Sequence, residues 1–87
     1  MTDFWDKPIT ADGATASPEQ QAEAWRLWLR RSEKSASGLA ADLRTAGVVG
    51  TAQSWPTHRV ADRMLQKARK GGAVCYVNGR WEMLSHD

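Results

Sequence analysis

Residues 69–84 read RKGGAVCYVNGRWEML, and the pair at their centre, Asn78-Gly79, decides the C-terminal architecture. A two-residue type I′ turn needs positive φ at both central positions, which asparagine and glycine tolerate better than other pairs. The flanks AVCYV and RWEML carry β-branched and aromatic residues, so the stretch reads as a β-hairpin. Such a turn sets Val77 opposite Arg80, Tyr76 opposite Trp81, Cys75 opposite Glu82 and Val74 opposite Met83. Val74, Tyr76, Trp81 and Met83 then share an apolar face expected to cover helices, with Cys75, Val77, Arg80 and Glu82 outward. An isolated hairpin is marginal in water, so helices must supply the rest of the core.

Those helices are legible upstream. Thr57 follows Pro56 and offers an N-cap, and Gly71-Gly72 ends the run behind Lys67, Arg69 and Lys70, cations that suit a helix C-terminus. Between them Val60, Ala61, Met64, Leu65 and Ala68 fall within about 140° of a helical wheel, opposite Arg59, Arg63, Gln66, Lys67 and Lys70. Ser35 or Ser37 can cap a second helix running through Ala46, with Ala36, Leu39, Ala40, Leu43 and Ala46 as its stripe and Gly47 as its stop. Ser17-Pro18-Glu19-Gln20 combines an N-cap, a proline at the first helical position and a capping-box glutamine, and opens a first helix over about residues 18–33. Its inward arc is Ala22, Trp25, Trp28 and Leu29, and Leu27 lands on the polar side.

The remaining segments carry weaker signals. Val48 and Val49 could add a short third strand, and 50–54 reads as loop. Trp55 either plugs the start of the third helix or stacks on a base. Residues 10–17 (TADGATAS) are small and polar and read as a mobile linker, so 1–17 form a flexible acidic leader, 18–84 one domain and 85–87 a tail. The expected fold class is therefore α+β: three helices followed by a two-stranded hairpin.

Composition bounds what such a chain does. With 87 residues it is one domain. Leu, Ile, Val and Phe number only 13, a share that would suggest disorder, but five tryptophans and a net charge of only +2 argue for a folded core. The charge is unevenly spread: residues 1–24 sum to −4 and residues 25–87 to +6. One cysteine, Cys75, forms no internal disulfide and points to a reducing, cytoplasmic setting. No apolar run approaches membrane length, and the start MTDFWDKPITADG has neither the basic nor the apolar part of a signal peptide. His58, Cys75 and His86 have no metal spacing. There is no phosphate-binding glycine loop or nucleophile elbow, and Asp42 and Asp62 read as surface charges, so neither enzyme activity nor a cofactor is expected.

Three helices and a closing hairpin, with the last helix basic on its free face and leading through Gly71-Gly72 into RKGGAVCYVNGRWEML, resemble the winged-helix variant of the helix-turn-helix. The likeness covers residues 18–84 and is to small DNA-binding domains of bacterial and phage proteins. It implies a recognition helix at 57–70 in the major groove of double-stranded DNA and a wing at 73–84 on the backbone or minor groove. Thr57, His58, Arg59 and Arg63 would lie nearest the bases, Gln66, Lys67 and Lys70 along the same helix, and Asn78, Gly79 and Arg80 at the wing tip. One departure is the connector at 47–56, about ten residues where the motif's turn has three or four.

The basic row is an argument in itself, because clustered cations that neutralise phosphates release counterions. Its blander counterpart is a solvated face that binds nothing, and for His58 a half-buried structural role. A small regulator or accessory factor of a phage or mobile element is the expected setting. The alternative is a winged-helix-like adaptor or inhibitor that meets a protein partner through Phe4, Trp5, Leu27 and the outward Val77. The oligomeric state has no signature.

Overall fold

The computed structural model describes residues 5–11, 13–48 and 56–84. Its elements, in order, are strands β1 (Ile9–Ala11) and β2 (Ala14–Ala16), helices α1 (Pro18–Leu29), α2 (Ala36–Thr45) and α3 (Pro56–Lys70), and strands β3 (Val74–Val77) and β4 (Arg80–Met83). The class is α+β as expected, but the order is not: an antiparallel hairpin precedes the helices where the sequence suggested a linker. Ala11, Ala14 and Ala16 are buried on one face of β1-β2, while Thr10 and Thr15 hydrogen-bond each other at 3.0 Å on the other. Side chains this small let the hairpin backbone lie close against α3 and α1.

Helix α1 starts as its sequence requires. Ser17 Oγ accepts from the Gln20 N–H at 3.1 Å, and the Ser17 N–H donates to Gln20 Oε1 at 2.9 Å, which closes the capping box. The helix ends at Leu29 rather than near residue 33, because the chain turns to meet α2. There the Trp28 indole N–H donates to the Ser35 carbonyl at 2.9 Å, and Arg31 grips Asp42 through two bonds of 2.9 and 3.0 Å. The buried face of α1 is Gln21, Ala24 and Trp28, with Trp25 half-buried; Ala22 and Leu29, expected inside, are exposed. Gln21 explains the rotation. Its Nε2 donates to the carbonyls of Lys7 at 2.8 Å and Ala16 at 2.9 Å, so a polar residue faces inward to hold the backbone at each end of the first hairpin.

Ser35 caps α2, accepting from the Gly38 N–H at 3.1 Å. The expected stripe holds, with Leu39, Ala40 and Leu43 buried and Ala36 and Ala46 packed against them. Asp42 is a correction: expected at the surface, it is buried beneath Arg31. Both α2 and α3 end in Schellman motifs. Val48 N–H bonds the Leu43 carbonyl at 2.9 Å and Gly47 N–H the Arg44 carbonyl at 3.0 Å; after α3, Ala73 bonds Ala68 at 2.9 Å and Gly72 bonds Arg69 at 3.1 Å. Gly47 and Gly72 carry the required positive φ, 99° and 82°. Val48 is therefore a buried residue of a helix stop, not of a strand; Val49 and Trp55 lie outside the described residues.

The centre of the molecule is α3, whose Val60, Ala61, Met64, Leu65 and Ala68 are all fully buried against α2 and the first hairpin. The β3-β4 register is the one derived above, from Val74 opposite Met83 to Val77 opposite Arg80, with Asn78 and Gly79 at φ 52° and 77°. Its packing differs from the expectation. Only Val74 is buried and Trp81 half-buried, whereas Tyr76 is 55% and Met83 40% exposed. The hairpin is closed at its base, where the Leu84 N–H donates to the Ala73 carbonyl at 3.0 Å, and it lies beside α3, with Tyr76 and Trp81 bordering a groove with Asp62, Gln66 and Arg69.

Candidate nucleic-acid interface

The apolar face of α3 sinks into the core, so its opposite face stands in solvent over the roughly 22 Å that 15 residues span. Arg59, Arg63, Gln66 and Lys70 are exposed along it. Spacings of three and four residues keep them on one side of the helix, so cationic and amide groups follow each other turn by turn. Arg63, Lys67 and Lys70 line one shallow groove together with Asp62 and Gln66. Asn78 and Arg80 are exposed at the turn of the hairpin, where Arg80 borders a groove with Ser32, Glu33 and Lys34.

Two expected site residues are placed elsewhere. Thr57 is fully buried, with its Oγ1 unpartnered, and is unable to reach a base: α3 already includes it, and lying three and four residues before Val60 and Ala61 it continues the buried stripe. His58 is half-buried and lines a groove with Ser37, Ala40, Ala41 and Arg44 of α2, so it faces the neighbouring helix, the structural role weighed against phosphate contact above.

Lys67 sits at the edge of the stripe, and here the leader contributes what its sequence did not reveal. Asp6 Oδ1 lies 3.2 Å from Lys67 Nζ. That hydrogen bond holds the Asp6 carboxyl below its ordinary pKa. Since the charged form is the one favoured, the contact persists above the usual carboxylate range and is lost as pH falls through the lowered value. Trp5 reinforces it: its ring centroid is 5.1 Å from that of Trp25, which in turn is 4.9 Å from Trp28. Trp5, offered by the sequence to the domain or to a partner, is therefore packed on the domain; Leu27 is half-buried, and Phe4 lies outside the described residues.

On the other flank of α3 the sequence reading missed a second set of groups. Tyr76, assigned to the core, makes a T-shaped contact with Trp81, with centroids 5.0 Å apart and an interplanar angle of 61°. The two rings share a groove with Ala36, Asp62, Gln66 and Arg69. The signal was latent in the helix spacing, since Asp62, Gln66 and Arg69 lie three and four residues apart on the side of α3 that leads into β3.

Cys75 is a half-buried free thiol. Among the described residues no three His, Cys, Asp or Glu side chains gather as metal ligands, and no helix is long and apolar enough to cross a membrane. Comparison with protein-family models, with curated proteins and with solved structures returns no match.

Proposed function

We propose that the protein binds double-stranded DNA, with α3 as the helix presented to the major groove and the β3-β4 hairpin as a wing reaching the backbone beside it, as in a cytoplasmic regulator or accessory factor. The observation that carries this is the exposed row Arg59, Arg63, Gln66 and Lys70 on a helix of groove-filling length. Arginine pairs with guanine edges, glutamine with adenine, and lysine with phosphate, so the row holds groups for both base and backbone contact. Asn78 and Arg80, exposed at the hairpin turn, would supply the contacts of the wing. Thr57 has no part in it.

Titration against duplex DNA at several salt concentrations tests the proposal. Log affinity should fall linearly with log salt, and Lys70→Gln should lower the slope by about 1 while weakening all sequences alike. Absence of binding at about 50 mM salt, or a flat salt response, overturns it. One observation favours a protein-adaptor reading instead: Val77, Met83 and Leu84 expose apolar surface on the C-terminal hairpin. In that case the hairpin, not α3, would carry the contact, and Lys70→Gln would leave partner binding unchanged.

A further inference from the structure

The groove between α3 and the C-terminal hairpin joins an exposed aromatic ring to polar groups that suit the edge of a base. We propose that it takes one unpaired nucleobase of the DNA whose phosphates run along α3; this rests on the DNA-binding reading above. The groove is open, with a volume of about 390 Å³, within the range of small-ligand sites. Tyr76 is more than half exposed, so a planar ligand has an aromatic surface to stack on, while the T-shaped contact with Trp81, centroids 5.0 Å apart, holds that ring in place.

The polar lining suits the edge of a base. Gln66 offers a donor and an acceptor, Arg69 donates, and the Asp62 carboxylate accepts from an exocyclic amine. Phosphates have their own place next door, where Arg63, Lys67 and Lys70 line a groove that Asp62 and Gln66 also border. The two grooves meet along that ridge of α3, cationic on one side and aromatic on the other. A strand crossing it sets its backbone on the lysines and its base against Tyr76. A paired base stays stacked in the duplex and presents only its edges, so the occupant is a nucleotide outside the duplex, at an end or junction.

The test compares, by fluorescence anisotropy, a blunt duplex, the same duplex with a short single-stranded overhang, and that overhang with abasic sites in place of its bases. The intact overhang should bind about tenfold more tightly than either of the others. Tyr76→Ala, at a largely exposed position, should abolish that advantage, Tyr76→Phe should keep it, and Lys70→Gln should weaken all three ligands together. Equal binding of blunt and overhang DNA, or an advantage untouched by Tyr76→Ala, overturns the base site and leaves duplex binding standing. Absence of binding to any of the three overturns both, and turns attention to a protein partner for the hairpin.

Discussion

A Cβ built on Gly38 would stand 3.0 Å from Cδ and 3.2 Å from Nε of Arg31. That close approach explains a glycine in the first turn of α2, where alanine would gain up to about 1 kcal/mol of helix propensity. Arg31 is not free to step aside, because its two bonds to Asp42 neutralise a buried carboxylate. Arg31→Ala should therefore destabilise the fold by about 2 kcal/mol in urea unfolding, less than for a fully buried pair because Arg31 itself is partly solvated. Gly38→Ala should destabilise the wild type yet become neutral or stabilising in the Arg31→Ala background, so that a double-mutant cycle reports strong coupling. A Gly38→Ala variant more stable than the parent would show that the contact with Arg31 imposes nothing. None of this was legible in the sequence. Arg31 and Asp42 are eleven positions apart on different elements, and an isolated aspartate on an alanine-rich helix reads as surface charge.

At the scale of elements, local chemistry was read well where it is self-contained. The Ser17 capping box, the Ser35 cap, the glycine stops at Gly47 and Gly72 and the Asn78-Gly79 turn all depend on residues within a few positions of each other, and all are present. Gly47→Ala should cost about 1 kcal/mol in thermal or urea unfolding, because a side chain is strained at that positive φ and the Schellman bonds to Leu43 and Arg44 depend on it. An unchanged midpoint would mean that the helix end relaxes without loss. The first hairpin escaped the same logic, although Asp12-Gly13 is as good a two-residue signal as Asn78-Gly79. Alanines at 11, 14 and 16 are poor β-formers and gave no visible apolar alternation, so the turn stood without recognisable strands.

Across the whole molecule, Gln21 is what ties the leader to the rest. It bonds the carbonyls of Lys7 and Ala16, and so fixes both approaches to β1-β2. Gln21→Leu should loosen that hairpin by about 2 kcal/mol, seen as faster amide exchange at residues 9–16, with a smaller effect on the centre of α3. Uniform protection in the variant would show that the alanine contacts alone dock the hairpin. The tryptophans divide by the same packing: Trp28 is fully buried with its N–H satisfied, Trp25 and Trp5 stack outward from it, and Trp81 backs the exposed Tyr76.

The sequence by itself determined the starts of α1 and α2, the glycine stops of α2 and α3, the core stripes of α2 and α3, the basic face of α3 and the register of the C-terminal hairpin, because each follows from periodicity or from a few adjacent residues. Tertiary structure decided which face of α1 is inside, that the acidic leader folds back through Asp6 onto Lys67, and that Tyr76 stands in solvent beside α3 while Thr57 lies beneath it. Those outcomes depend on what each face meets across the fold, and residue order alone does not encode the meeting: a polar Gln21 is drawn inward by the carbonyls of Lys7 and Ala16, and Tyr76 borders an open groove beside α3 instead of lying beneath a helix.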